Sequence, residues 1–184
     1  LDAYEQVRKQ LPELLLVIAP RHVERAPQIK RLIDTYGLPC QLRTELLQLG
    51  NARTAPVVIM DTMGELEITY GIASIVFCGG SLVPLGGQNI LEAAAWGKPV
   101  LYGPSMDDFL EAQTLLENAQ AGIQVQDGAD LAVQVEYFLA HPHQAEAIGL
   151  RAQAAVRSNF GAAMKHAAVI QNLTQGEQVQ AWGR

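Results

Sequence analysis

The amino-acid sequence predicts an α/β domain: an open, parallel, Rossmann-like sheet of about six strands with helices on both faces. Three observations predict it. Short runs of Val, Ile and Leu recur without polar alternation, the pattern of strands buried on both faces. Segments with helical spacing separate these runs, so successive strands pair in parallel through right-handed crossovers. Loops rich in glycine or helix-capping residues follow three of the runs, and in such sheets ligands bind beyond the carboxyl ends of the strands.

The elements follow in order. The chain opens in a helical pattern, and Leu14 to Ala19 is the first continuous apolar run. Val23 to Tyr36 reads as a helix stopped by Gly37, a residue suited to the left-handed turn after a helix. Pro39 to Arg43 is a short strand and Val57 to Met60 a buried one. Gly64 to Ile72 is a short helix, Ile75 to Cys78 a strand, Asn89 to Trp96 a helix and Pro99 to Tyr102 a strand. Phe109 to Ala119 is a helix and Gly122 to Val125 the last strand. Ala129 to Ala140, Gln144 to Asn159 and Ala162 to Leu173 complete the helices, giving one domain over 1–173. The polar, unpatterned residues 174–184 are expected to fray. The first residue is Leu1 and the pattern starts at once, so the sequence reads as a piece of a longer protein.

The 184 residues suit one domain with a substantial core. Net charge is −6 and no dense Lys/Arg run occurs, which argues against tracking a nucleic-acid backbone, while leaving room for a locally basic pocket for a small anion. No apolar run approaches the ~20 residues of a membrane span, and no signal peptide is visible. Cys40 and Cys78 lack CxxC spacing and are expected to be buried, reduced packing residues of a reducing compartment. No Asp/His constellation suggests a metal, and no cofactor is expected.

Chemistry concentrates in the three loops. In Ala19–Arg25, the Arg21 guanidinium fork suits a phosphate or carboxylate, His22 offers a further donor and Arg25 adds charge; the alternative is a solvated loop whose arginines pair with Glu24. In Asp61–Leu66, Thr62 and Glu65 have capping-box spacing. That accounts for both residues structurally, yet N–H groups at a helix start also hold a phosphate or a base edge, and Gly64 would let a ligand approach the backbone. In Gly79–Glu92, Asn89 and Glu92 again match a cap and its third-position acid. Capping does not call for Gly79, Gly80, Gly86 and Gly87, which suggest positive φ or bare backbone. A carboxylate at Glu92 can accept hydrogen bonds from ribose hydroxyls. The run has neither GK[ST] nor GxGxxG, and Ser81 is not in GxSxG, so P-loop, dinucleotide-fingerprint and hydrolase-elbow readings fail.

Together these loops resemble those of the Kdo transferases, which add 3-deoxy-D-manno-octulosonic acid to lipid A precursors. The matching residues are Ala19-Pro20-Arg21-His22 with Arg25, Asp61-Thr62-Met63-Gly64-Glu65-Leu66 with Tyr70-Gly71, and Gly79-Gly80-Ser81-Leu82-Val83 followed by Gly86-Gly87, Asn89, Leu91 and Glu92. Order and spacing agree from the start to about residue 173.

The resemblance implies the C-terminal half of a GT-B glycosyltransferase, the half that binds the donor CMP-Kdo, and an inverting transfer. Family nucleotide contacts carry over to Pro20, Arg21, Met63, Gly64, Glu65, Asn89, Ile90, Leu91 and Glu92, with His22, Ser81, Gly87 and Gln88 as further candidates for donor contact. The catalytic carboxylate, the lipid A precursor site and the membrane-associated surface belong to the N-terminal half, so this chain alone is expected to be inactive and soluble. The full-length protein is expected at the cytoplasmic face of the bacterial inner membrane. The family usually has histidine where Gln88 stands and often proline where Ile90 stands. Glutamine keeps a donor but does not titrate near neutral pH. Two other readings suit the same loops: a GT-B domain for a UDP-sugar, and a nucleotide-binding module without catalysis.

Overall fold

A computed structural model describes residues 1–49 and 52–159. The elements in order are α1 (Asp2–Gln10), β1 (Leu16–Ile18), α2 (Ala26–Thr35), β2 (Cys40–Leu42), α3 (Arg43–Leu49), β3 (Val57–Ile59), α4 (Leu66–Ile72), β4 (Val76–Phe77), α5 (Leu91–Ala95), β5 (Val100–Tyr102), α6 (Leu110–Asn118), β6 (Gly122–Gln124) and α7 (Gly128–Ala140). A last helix, α8, covers 142–159. The expected helix over 162–173 and the tail over 174–184 lie outside the described residues.

Every strand pairing is parallel. The strands form two three-stranded sheets, β1-β3-β2 and β4-β5-β6, rather than the one ladder expected from the sequence. Central strands explain the unalternating apolar runs. In β5, Val100 and Tyr102 join a core with Ala93 and Ala94 of α5, Leu116 of α6 and Ala152 and Val156 of α8. Leu101 enters a separate core with Phe138 and Ala145. Helices thus cover both faces of this sheet, and no residue of β5 meets water. In the first sheet, Val57 and Ile59 pack with Tyr4, Ala26 and Ile33, which seats α1 and α2 on it.

Local chemistry sets the boundaries. A single 3₁₀ turn, Val23–Arg25, precedes α2, and Pro27 falls in the first helical turn, where its missing N–H costs nothing. Gly37 ends the helix region at φ +66°. Helix α3 departs from the sequence reading, which carried the strand through Arg43. Arg43 instead begins a helix directly after β2. Cys40 is only half-buried, against the expectation, whereas Cys78 is buried.

Candidate nucleotide site

Parallel register brings the first two loops to a common edge. Ile18 and Leu42 both stand level with Ile59, and the Met60 N–H donates to the Ile18 carbonyl at 2.8 Å. The segments after β1, β2 and β3 therefore leave the sheet side by side. On the first, Arg21, His22 and Arg25 are exposed and Pro20 is half-buried. Glu24 is taken by the histidine rather than by an arginine: His22 Nδ1 lies 3.5 Å from its Oε1, with both side chains largely in water. Among the described residues, Arg21 and Arg25 have no carboxylate partner.

The second loop is tied to α3, an element absent from the sequence reading. Arg43 donates from Nε (3.2 Å) and Nη2 (2.8 Å) to Glu65 Oε1, and the Thr62 hydroxyl donates to Glu65 Oε2. These contacts hold the Glu65 carboxyl below the usual carboxylate range, the arginine contributing most and the threonine next. Asp61 works in the other direction, accepting from the Thr44 N–H at 2.9 Å and from the Thr44 hydroxyl at 2.5 Å. Glu45 reaches back to the Leu42 N–H at 2.9 Å and pairs with Lys30 at 3.2 Å. The capping box expected at Thr62 and Glu65 does not form: Glu65 itself is the N-cap of α4, with no side-chain cap, and its carboxylate is bonded to side chains. Among the described residues the N–H groups of Met63, Gly64 and Glu65 have no backbone acceptor. Gly64 sits at φ +84° and Met63 is 76% exposed, so this turn lies at the surface.

The third loop is a braced turn. Ser81 is fully buried; its hydroxyl donates to the Cys78 carbonyl at 2.6 Å and accepts from the Gly103 N–H at 2.7 Å. The Ser81 hydroxyl is thus committed to the frame of the loop. The Gln88 N–H donates to Cys78 Sγ at 3.2 Å, so this cysteine is a loop anchor as well as a packing residue, with its thiol pushed up by burial. Gly87 lies at φ +76°, and a Cβ there would meet Met106 Sδ at 2.5 Å, so glycine is required both by conformation and by space. The Ile90 side chain is in the core, which leaves only its backbone to face a ligand, and Leu91 is half-buried. Asn89 accepts from the Leu91 N–H at 3.1 Å and donates through Nδ2 to Glu92 Oε1 at 3.1 Å. The N-cap of α5 is Ile90, without a side-chain cap, so the expected capping box is again replaced by a side-chain pair. Glu92 is exposed, and no hydrogen bond to its second carboxylate oxygen occurs among the described residues. Burial, then the charge of Glu92, push the Tyr70 hydroxyl up to about 12, which puts Tyr70 within electrostatic reach of that carboxylate.

Two shallow depressions mark the surface. One of about 460 Å³ runs along α2 beside Arg25, Ile29 and Leu32, and one of about 330 Å³ lies between Leu82–Pro84 and Pro104–Asp107. Neither is lined by Arg21, Met63–Glu65 or Asn89–Glu92. Among the described residues no cluster of three His, Cys, Asp or Glu side chains is arranged to hold a metal.

Parallel strands with loops beyond their carboxyl ends and a braced glycine turn define a Rossmann-like domain. A family model described as glycosyl transferase-like matches residues 87–171. The chain is 34% identical over 163 residues to the 3-deoxy-D-manno-octulosonic acid transferase of Haemophilus influenzae, covering 88% of this chain and 38% of that protein. It is 29% identical over 139 residues to the enzyme of the same name from Aquifex aeolicus, covering 76% and 37%. It therefore spans about two fifths of the length of these relatives. The crystal structure of the C-terminal CMP-Kdo binding domain of WaaA from Acinetobacter baumannii matches with a TM-score of 0.75 at 26% identity, over 84% of this chain and 80% of that one. The chain is similar over most of its length to Kdo transferases and to the C-terminal domain of one of them, in the arrangement of the C-terminal half of a GT-B glycosyltransferase.

Proposed function

We propose that the chain is the donor-binding domain of a glycosyltransferase that moves Kdo from CMP-Kdo to a lipid A precursor in lipopolysaccharide biosynthesis, at the cytoplasmic face of a bacterial inner membrane. The observation that carries this reading is the likeness, over most of both chains, to a domain that binds CMP-Kdo. The geometry supports it. Arg21 offers a guanidinium without an ion-pair partner among the described residues, for the phosphate. The Met63–Glu65 backbone offers donors for acceptor atoms of the nucleotide, and Glu92 offers an acceptor for ribose hydroxyls.

In the proposed reaction an acceptor hydroxyl attacks the anomeric carbon of Kdo, its proton passes to a carboxylate of the other half, and the bond to the CMP phosphate breaks. The leaving phosphate gains charge as that bond lengthens. Fixed donors aimed at it, Arg21 foremost, lower the barrier. The test is calorimetric titration with CMP and with UDP. CMP should bind and UDP should bind more weakly. Arg21→Ala should reduce CMP affinity by about 1.5–3 kcal/mol, the range for a charged hydrogen bond, without a change in unfolding midpoint. Preference for UDP, or unchanged CMP affinity in the variant, would overturn the assignment.

A further inference from the structure

The contacts between α3 and the loop after β3 run in both directions. The loop gives Asp61 to the first turn of α3, where its two oxygens hold the N–H and hydroxyl of Thr44. The helix gives Arg43 to the loop, where two guanidinium nitrogens hold Glu65 Oε1. Thr62 occupies the remaining oxygen of Glu65. The carboxylate of Glu65 is thus fully engaged by protein, while the N–H groups of Met63, Gly64 and Glu65 beside it have no backbone acceptor among the described residues.

We infer that Arg43 is a positioning residue of the nucleotide site: through Glu65 it fixes the Met63–Glu65 backbone with its N–H groups outward, and Glu65 serves the ligand by its backbone and not by its carboxylate. The inference rests on the proposed donor site and deepens it. Its physical basis is pre-organisation. A loop with Gly64 at φ +84° has many alternative conformations, and a two-point guanidinium contact removes most of them before the ligand arrives. The pair is partly buried, with about 30% of each side chain exposed, so it is shielded from water enough to hold geometry without being a core ion pair.

The experiment compares Arg43→Ala, Glu65→Ala, the double variant and Arg43→Lys in the 184-residue chain. Each is titrated with CMP, and the Gly64 amide resonance and its solvent exchange are followed without nucleotide. If the two residues act as one device, each single variant weakens CMP binding about tenfold and the double variant is no weaker than either. Arg43→Lys, which keeps one donor to the carboxylate, recovers part of the loss. The Gly64 amide shifts and exchanges faster in both alanine variants. Losses that multiply to about a hundredfold in the double variant would mean that each side chain contacts the nucleotide separately, and would overturn the inference. Unchanged CMP affinity in Arg43→Ala would overturn it too. If the wild-type chain binds no CMP, the donor reading itself fails, and the Gly64 amide decides the positioning role alone: an unmoved resonance in Arg43→Ala refutes it. If the alanine variant does not fold, Arg43→Gln and Arg43→Lys carry the same comparison.

Discussion

Replacing Ser81 by alanine tests whether the glycine loop is carried by a buried brace. The hydroxyl bridges the ends of two strands, taking the Gly103 N–H at 2.7 Å and giving its proton to the Cys78 carbonyl at 2.6 Å, with no exposure to solvent. The Ser105 N–H reaches the Ser81 carbonyl at 2.9 Å, so the backbones approach closely here. Alanine leaves a void of about one oxygen atom, too small for a water, whose share of liquid volume is about 30 Å³. The Gly103 N–H is then buried without an acceptor. Two net hydrogen bonds of about 1 kcal/mol each are lost, and stranding the donor adds desolvation, so the expected loss is about 2–4 kcal/mol. Against the usual 5–15 kcal/mol for a domain this is a large fraction. With an m-value of about 2 kcal/mol/M in urea, the midpoint should fall by about 1–2 M with m unchanged. Ser105→Ala is the control. That hydroxyl accepts from the Gly86 N–H at 3.1 Å but is half-exposed, so water can replace it and the loss should stay below about 1 kcal/mol. A Ser81→Ala loss under about 0.5 kcal/mol, or one no larger than the control, would refute the brace.

Two further outcomes follow from the site. The Tyr70 hydroxyl, raised from 10.0 to about 12 by burial and then by Glu92, stays protonated in the fold while an unfolded tyrosine ionises near 10; stability should therefore fall as pH climbs through that window, and urea midpoints of Tyr70→Phe should fall less steeply there than those of wild type. Glu92→Gln should leave the unfolding midpoint nearly unchanged and weaken CMP but not 2′,3′-dideoxy-CMP, because the amide offers one acceptor oxygen where the carboxylate offers two; an equal loss for both nucleotides would exclude a ribose contact.

The strands were legible because burial on both faces leaves a local trace: Val57–Ile59 and Val100–Tyr102 are unbroken apolar triplets, and the structure buries all of them. Helix α3 left almost none. The residue before it is Leu42, which has no capping side chain, and the oxygen that serves the Thr44 N–H belongs to Asp61, in another loop. A cap supplied from that distance in sequence has no signature within a local window. One local signal existed: Glu45, which bonds back to the Leu42 N–H as the acid of a capping box does. The brace at Ser81 left no local trace either: only the closeness of Gly103, set by the pairing of β4 with β5, reveals that this serine is a buried link. The division into two sheets was equally invisible, since apolar runs specify strands but not their neighbours.

The second and third loops share a sequence grammar, Thr62 with Glu65 and Asn89 with Glu92, and the structure gives the two acids different duties. In both, the expected bond from acid to backbone is replaced by a bond to the side chain three residues earlier. The difference is Arg43. It adds a second partner to Glu65, so that both carboxylate oxygens are used and the loop presents backbone donors. Glu92 has no cation beside it among the described residues, and one oxygen stays open at the surface. A nucleotide monophosphate needs both kinds of partner: donors for its phosphate and base acceptors, and an acceptor for its ribose hydroxyls. Had Glu65 been free, its negative charge would have stood beside the N–H groups meant for an anion. On the proposed site, neutralising it with an arginine from a neighbouring helix would let the loop bind acceptor atoms, while Glu92, with one oxygen open, would take the opposite role.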